Sequence, residues 1–206
     1  MPAALALPFL FKPVHSTPED YSGHRYIAGS FSELVDRGLN DPLLTAFERE
    51  VLERAKLSGR IEQADYDEAF ARFDACMESS GEPVKLVKLS NGLFRIETTP
   101  LDDGETVQSA MAVVTGCETG TTLILADLYG IQQGNPDLLA DPYAVARNCL
   151  ATKGLVGPNY THEDLQKAMN TPSSPWSSLE DRLPFDPYGD EAQACFVGAN
   201  MALGKA

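Results

Sequence analysis

Cationic residues and histidines are scarce in this 206-residue chain, and each shortage excludes a class of function. Lysine and arginine total 16 against 30 aspartates and glutamates, so the formal net charge is −14. Because phosphate-rich partners need a basic face, this balance argues against nucleic-acid binding and against anionic membrane surfaces. The excess acid is typical of a soluble acidic protein, and it could also attract cations or a basic partner.

Motifs for metals, cofactors and common enzymes are also missing. His15, His24 and His162 are too scattered to form a metal site, and no G-x-S-x-G, G-x-G-x-x-G or Walker phosphate loop occurs. Three acidic groups lack the calcium loop of an EF-hand, so solvated acid is the simpler interpretation. These groups are Asp65/Asp67/Glu68, Asp102/Asp103 and Asp186/Asp190/Glu191. We therefore predict no cofactor, no metal and no catalytic residue, with a cysteine–histidine nucleophile pair as an alternative.

Long apolar runs are absent as well. No run approaches the ~18 residues of a transmembrane helix, so no transmembrane segment is predicted. Residues 3–11 resemble the apolar part of an export signal, but no Lys or Arg precedes them and no small-x-small cleavage site follows. The stretch is either a truncated signal or an apolar arm that packs on the domain and could support self-assembly.

The length and the pattern of breaks favour one helical domain. A chain of this size most often forms a single domain with a substantial core. Residues 1–29 contain four prolines and little periodicity, which predicts an extended N-terminal arm. Residues 30–206 are expected to form one domain of the mainly α class, with a single small β-hairpin at about 84–98.

The stretch from Asp41 to Gly81 predicts two amphipathic helices joined by a tight turn. Asp41 and Pro42 are typical of a helix start, and Gly59 of a helix end. The second helix is predicted over residues 62–79, and the two helices should pack antiparallel. Its inner face carries Tyr66, Ala69, Phe70, Phe73, Cys76 and Met77.

Further helices follow from capping signals and apolar periodicity. Ser30 and Glu33 have capping-box spacing, with Gly38 as the expected end of that helix. Residues 106–115 fit a helix or a strand, with helix preferred, and a helix is predicted over 121–133. Three more helices are expected to begin at Asp141-Pro142, at Thr161 and near Asp190, the last running to Leu203. Residues 171–187, which hold Trp176, are predicted to form a loop.

Asn91-Gly92 is the strongest turn signal in the chain. A two-residue turn there would pair Leu89 with Phe94 and Val87 with Ile96 on a covered face. Lys88 and Arg95 would then share the opposite, solvent-exposed face.

Four cysteines carry the most chemical information. Cys76, Cys117, Cys149 and Cys195 form no C-x-x-C pair, which argues against zinc ribbons and thioredoxin-type sites. Pairing in sequence order would give Cys76–Cys117 and Cys149–Cys195, and we predict both, because three of the four cysteines lie on inner helical faces. Such bonds persist in an oxidising compartment, so they predict an extracytoplasmic location. Four reduced cysteines packed in the core, in a cytoplasmic protein, are the alternative.

The run RIEQADYDEAF at 60–70, followed by Phe73, Cys76-Met77 and Gly81, resembles uncharacterised exported proteins and lipoproteins of actinobacteria. Cys117, the Asn135-Pro136 break and residues 184–186 before Cys195 are also similar. The resemblance covers roughly residues 44–196. It implies export and disulfides and implies no activity, and the chain departs from it in having no standard signal peptide or lipobox.

These observations lead to three hypotheses about function. The first is a non-enzymatic exported or cell-envelope protein that binds an unknown protein or small-molecule partner. The second is a structural or assembly subunit, as in a virion or envelope complex, that uses the N-terminal arm. The third is a hydrolase whose site a single sequence does not reveal.

Overall fold

The computed structural model describes residues 25–98, 106–172, 178–201 and 203. Within these ranges the chain is mainly helical with one two-stranded antiparallel hairpin, so the predicted fold class is confirmed. The helices of the first part are α1 Phe31–Leu39, α2 Ala46–Ser58, α3 Gln63–Ser79, α4 Val107–Glu118 and α5 Leu123–Gly134. The hairpin is formed by β1 Val84–Lys88 and β2 Phe94–Thr98, and the later helices are α6 Pro142–Thr152, α7 His162–Asn170, α8 Leu179–Arg182 and α9 Asp190–Gly198.

Helix α1 begins where its capping signal predicts. The Ser30 hydroxyl oxygen accepts a hydrogen bond from the Glu33 amide at 3.2 Å. Gly38, however, does not end the helix but lies buried within it. A methyl group at Gly38 would lie 3.1 Å from a Leu52 methyl and 3.2 Å from a Leu128 methyl. The glycine therefore lets α1 approach α2 and α5 closely.

Helix α2 begins four residues later than the Asp41-Pro42 signal predicts. Thr45 is its N-cap, and a reciprocal capping box links Thr45 to Glu48. Asp41 instead forms a turn, in which its Oδ1 accepts a hydrogen bond from the Leu43 amide at 2.8 Å. The Thr45–Glu48 capping box satisfies two backbone amides that would otherwise be free. The helix therefore begins after Thr45 and not at Asp41-Pro42. The end of α2 at Gly59, with φ of 80°, is confirmed.

Helices α2 and α3 run antiparallel, as predicted, and polar side chains bridge them. The Arg72 guanidinium lies 4.0 Å from the centroid of the Phe47 ring, and Arg54 contacts Asp65 at 2.6 Å. The closest backbone packing lies elsewhere, since α2 packs on α1 whereas α3 packs on α4 and α5. The inner face of α3 is as predicted, except that Cys76 is only half-buried.

The hairpin loop holds three residues, 90–92, where two were predicted, so the predicted register is wrong by one position. Lys88 pairs with Phe94 and Val87 with Arg95. The Leu89 amide donates to the Leu93 carbonyl at 2.8 Å, and only Gly92 takes a positive φ, 82°. A two-residue type I′ turn needs two positive φ angles, whereas a type I turn followed by one left-handed glycine needs one.

The corrected register changes which side chains share a face. Leu86, Phe94 and Ile96 pack on the core, and Lys88 lies on their side, where it is exposed and contacts Asp67 at 2.7 Å. Val87 lies opposite, beside Arg95, so its predicted place on the covered face is wrong. Arg95 is half-buried at 28% exposure because its Nη1 donates to Gln193 Oε1 at 3.1 Å, so its predicted exposure is also wrong.

The described residues form two separate hydrophobic cores. The first lies among α1–α5 and the hairpin, and the second among α6–α9. Their junction is formed by α5 and α9, whose last residues, Gly134 and Gly198, meet backbone to backbone. The hairpin loop reinforces this junction, because Asn91 Nδ2 donates to the Ala194 carbonyl oxygen at 2.8 Å.

The remaining helices agree with the predictions from the sequence only in part. Residues 107–118 are helical, as preferred, and α6 and α7 begin at Asp141 and Thr161 as predicted. Helix α8 lies inside the predicted 171–187 loop, where Ser178 and Asp181 form a capping box. Helix α9 ends at Gly198 rather than Leu203, because Asn200 adopts φ of 56°. Trp176 and most of the predicted arm, residues 1–24, lie outside the described residues.

Candidate functional site

Both predicted cysteine pairs are bonded, one in each core. Cys76–Cys117 joins α3 to α4 with a Cα–Cα distance of 5.6 Å, and Cys149–Cys195 joins α6 to α9 at 5.4 Å. These two disulfides use all four cysteines of the chain. No thiol is therefore left for the cysteine–histidine alternative.

Most members of the acidic groups that could bind calcium are engaged separately, with a cation or with a backbone amide. Asp65 contacts Arg54, Asp67 contacts Lys88, and Glu68 contacts Arg72 at 2.9 Å. In the C-terminal group, the Asp186 carboxylate accepts a hydrogen bond from the Tyr188 amide, and Glu191 lies 3.7 Å from Lys153. Asp102 and Asp103 lie outside the described residues. In the ranges that the structure covers, no three acidic, histidine or cysteine side chains are grouped to hold a metal ion.

His162 is the one histidine in the described ranges, and it lies at the start of α7. Its Nε2 is 3.6 Å from Asp141 Oδ2 and 3.2 Å from Glu163 Oε1. All three side chains are substantially exposed. This arrangement is typical of solvated charge at a helix start, as the sequence indicates.

Three carboxylates that the sequence analysis did not single out are shielded from solvent: two are buried and the third is half-buried. The first is Glu48, whose residue is 0% exposed. Its Oε2 accepts from the Thr45 amide at 3.1 Å and from the Thr45 hydroxyl at 2.9 Å. Its Oε1 has no hydrogen-bond partner within the described part of the chain. The Thr45 hydroxyl also lies 3.2 Å from the Gly120 carbonyl oxygen, which places this capping box against the turn between α4 and α5.

Glu118 is the second, at the C-terminus of α4. It is 8% exposed, and burial raises its pKa to about 7. Its position adds to the cost of ionisation, because the last carbonyls of a helix carry partial negative charge. Among the described residues no side chain or amide forms a hydrogen bond or ion pair with its carboxylate. In the fold, the charged and neutral forms of Glu118 are therefore present in comparable amounts near neutral pH.

Asp127 is the third, between the buried residues Ala126 and Leu128 of α5. Burial raises its pKa to about 6. As with Glu118, its carboxylate has no hydrogen bond or ion pair within the described ranges. Asp127 and Glu118 thus flank the α4–α5 turn, one on each helix.

Helices α4 and α5 together form a long stretch of low charge, which we call the α4–α5 pair, residues 107–134. Glu118 and Asp127 are its only charged residues. No single helix in the described ranges is long and apolar enough to cross a membrane. The α4–α5 pair reaches that length and composition only when its two helices are taken together, and it is bent by 81° at the break. The two isolated acids in this stretch were the sequence signal that could have identified the site.

Comparison with known proteins yields no matching family model, no matching curated protein and no matching solved structure. The resemblance to exported actinobacterial proteins therefore stays an expectation from the sequence.

Removing the Glu118 charge is expected to stabilise the fold at alkaline pH. The folded-state pKa of about 7 lies above the ordinary 4.5, so stability falls as pH rises between these values, by a total on the order of 3 kcal/mol. Because a buried amide is also desolvated, Glu118→Gln should raise the free energy of unfolding by about 1–2 kcal/mol at pH ~8. Urea unfolding at a series of pH values measures this difference.

Glu53→Gln is the matched control, since Glu53 is exposed on α2. It should change stability by no more than about 0.5 kcal/mol at any pH. The gain from Glu118→Gln should disappear at pH ~4, where wild-type Glu118 is already protonated. A gain of equal size at both pH values would contradict the burial argument.

Proposed function

We propose that this protein is a non-enzymatic, exported or cell-envelope protein that acts by binding a partner. The observation that carries the proposal is the pair of disulfides, one in each hydrophobic core. Disulfides persist in extracytoplasmic compartments and are rare in a reducing cytoplasm. The resemblance to exported actinobacterial proteins supports the same location.

The arrangement of polar side chains favours binding over catalysis. An acid–base enzyme needs its titrating group beside a nucleophile or a substrate cleft. Glu118 is buried and Asp127 half-buried, neither carboxylate has a hydrogen bond to a possible nucleophile within the described ranges, and both disulfides remove thiol chemistry. Several carboxylates at the surface pair with nearby cations, for example Glu62 with Arg60 and Glu97 with Lys85.

Cell fractionation with thiol labelling tests the proposed location. Cells that encode the protein are separated into cytoplasm, envelope and medium, and free thiols are alkylated before lysis. We expect the protein in the envelope or medium, with no thiol labelled until a reductant is added. Protein recovered from the cytoplasm with four labelled cysteines would overturn the proposal.

The assembly alternative depends on the predicted arm, whose last residues are anchored on the chain's own domain. Residues 25–27, at the end of the predicted arm, pair with the α5–α6 connection beside the junction of the two cores. The Ile27 amide donates to the Leu138 carbonyl oxygen at 2.8 Å, and the Ala140 amide donates to the Arg25 carbonyl oxygen at 3.0 Å. Deleting residues 1–15 should lower the oligomeric mass if the arm assembles the protein. An unchanged mass would remove this alternative for those residues.

A further inference from the structure

The charge pattern of the α4–α5 pair is unusual for a chain this acidic. The pair contains no lysine or arginine, and its two carboxylates, Glu118 and Asp127, are its only charges. When both are protonated, residues 107–134 are uncharged throughout. Transfer of this stretch from water to hydrocarbon then requires no buried ion, which is the most expensive part of placing a peptide in a membrane.

Within the described ranges, no charged group on a neighbouring helix forms an ion pair with the carboxylate of Glu118 or Asp127. One of these groups, Glu48, belongs to a capping box that touches the α4–α5 turn through Thr45. Many charged side chains on the packed helices are engaged with other partners: Arg37 with Glu33, Asp36 with Lys56, Asp65 with Arg54, Asp67 with Lys88, Glu68 with Arg72, Arg147 with the Tyr160 and Pro158 carbonyls, and Glu191 with Lys153. Within the described ranges, protonation of Glu118 and Asp127 therefore breaks no ion pair.

Part of the pair is already accessible at the surface. Val107 is 39% exposed, and Ala112, Thr115 and Gly116 are also exposed along α4. Helix α5 lies deeper, with most of its apolar side chains in the first core. Lipid could thus contact α4 before α5 leaves the core. The Cys76–Cys117 disulfide would keep the end of α4 tethered to α3 throughout.

The dimensions also suit a bilayer. Each helix has 12 residues. The whole stretch as one helix would be about 40 Å long, and the hydrocarbon core is about 30 Å thick. With the Cys76–Cys117 bond intact, a straight spanning helix would draw α3 into the hydrocarbon, so the pair enters one side of the bilayer with its 81° bend.

We propose that the α4–α5 pair binds and enters an electrically neutral phospholipid bilayer at mildly acid pH. This inference rests on the proposed binding role and names its partner class as a lipid surface. Neutral lipid is specified because the net charge of −14 disfavours anionic surfaces. The raised pKa values of Glu118 and Asp127, about 7 and about 6, set the pH range of the transition.

Vesicle flotation with the oxidised full-length protein tests this proposal. Phosphatidylcholine vesicles are mixed with the protein at pH ~5 and at pH ~8, on either side of both pKa values. We expect the floated fraction to be at least about tenfold larger at the lower pH, because both carboxylates are then protonated. Near-native helical content, checked by circular dichroism without vesicles at pH ~5, would show that the protein is still folded when it meets the lipid.

Two variants and one control assign the effect to residues. Glu118→Gln with Asp127→Asn removes both titrating groups, so this variant should float at pH ~8 to nearly the extent that the wild type floats at pH ~5. Ala112→Arg places a permanent charge at an exposed position of α4, where the fold tolerates it, and should reduce flotation at pH ~5 by at least about tenfold. Glu53→Gln, at an exposed position of α2, should leave the midpoint unchanged.

Two results would overturn the proposal. One is a wild-type protein that does not float at either pH. The other is flotation at pH ~5 that Ala112→Arg does not reduce, because another part of the chain would then carry the lipid contact. Neither result bears on the fractionation experiment, so failure of lipid binding stays distinguishable from failure of the proposed location.

Discussion

Gly134→Ala is expected to destabilise the protein by about 3 kcal/mol, because a methyl group there has no space. The added carbon would overlap the carbonyl group of Gly198, which is backbone and cannot rotate away. In the reverse direction, a methyl group at Gly198 would lie 2.9 Å from the Gly134 Cα. Helices α5 and α9 would have to separate, which would open the junction between the two cores. Urea unfolding of the oxidised protein measures the loss.

Gly130→Ala is the matched control in the same helix. No atom outside the local helix lies within 4 Å of a methyl group added at Gly130, and its φ is not positive. Alanine there should stabilise α5 by about 0.5–1 kcal/mol, because glycine loses more chain entropy on folding. If the two variants shift stability in the same direction, the close approach of α5 and α9 is not a determinant of stability.

Local signals in the sequence were sufficient for most elements of this fold. The Asp141-Pro142 and Thr161 starts were predictable because a cap depends on neighbouring residues alone. The start of α2 was not, because Asp41-Pro42 and Thr45–Glu48 are competing local signals and only the folded chain selects one. The hairpin register failed for a similar reason. Asn-Gly permits two loop lengths, and the choice depends on which residues take positive φ.

Contacts between residues far apart in the chain could not be predicted from local sequence signals. Nothing near Gly134 in the sequence indicates that Gly198 lies against it. The candidate site is an intermediate case. Glu118 and Asp127 stand out as the only charges in residues 107–134, yet their lack of partners in the described ranges depends on how the other helices pack around them. The cysteine pairs follow sequence order, as predicted, although Cys76 and Cys149 are half-buried rather than fully on inner helical faces.

Loss of the Cys149–Cys195 disulfide should have the largest effect of the changes considered. The bond closes a loop of 46 positions, which corresponds to roughly 4 kcal/mol in the chain-entropy model. Cys149→Ala with Cys195→Ala should therefore lower the melting temperature by about 8–16 °C in a protein of this size. Differential scanning calorimetry of the double variant measures this shift.

The Cys76→Ala, Cys117→Ala variant is the comparison, because it opens a loop of similar length, 41 positions, in the other core. Both variants should lose similar global stability, but hydrogen exchange should separate them. Without Cys149–Cys195, amide protection should fall first in α6 and α9, because that bond ties the last helix to the second core. Without Cys76–Cys117, it should fall first in α4. Equal loss of protection across both cores in either variant would show that the two cores unfold as one cooperative unit, and that each disulfide stabilises the whole chain rather than its own core.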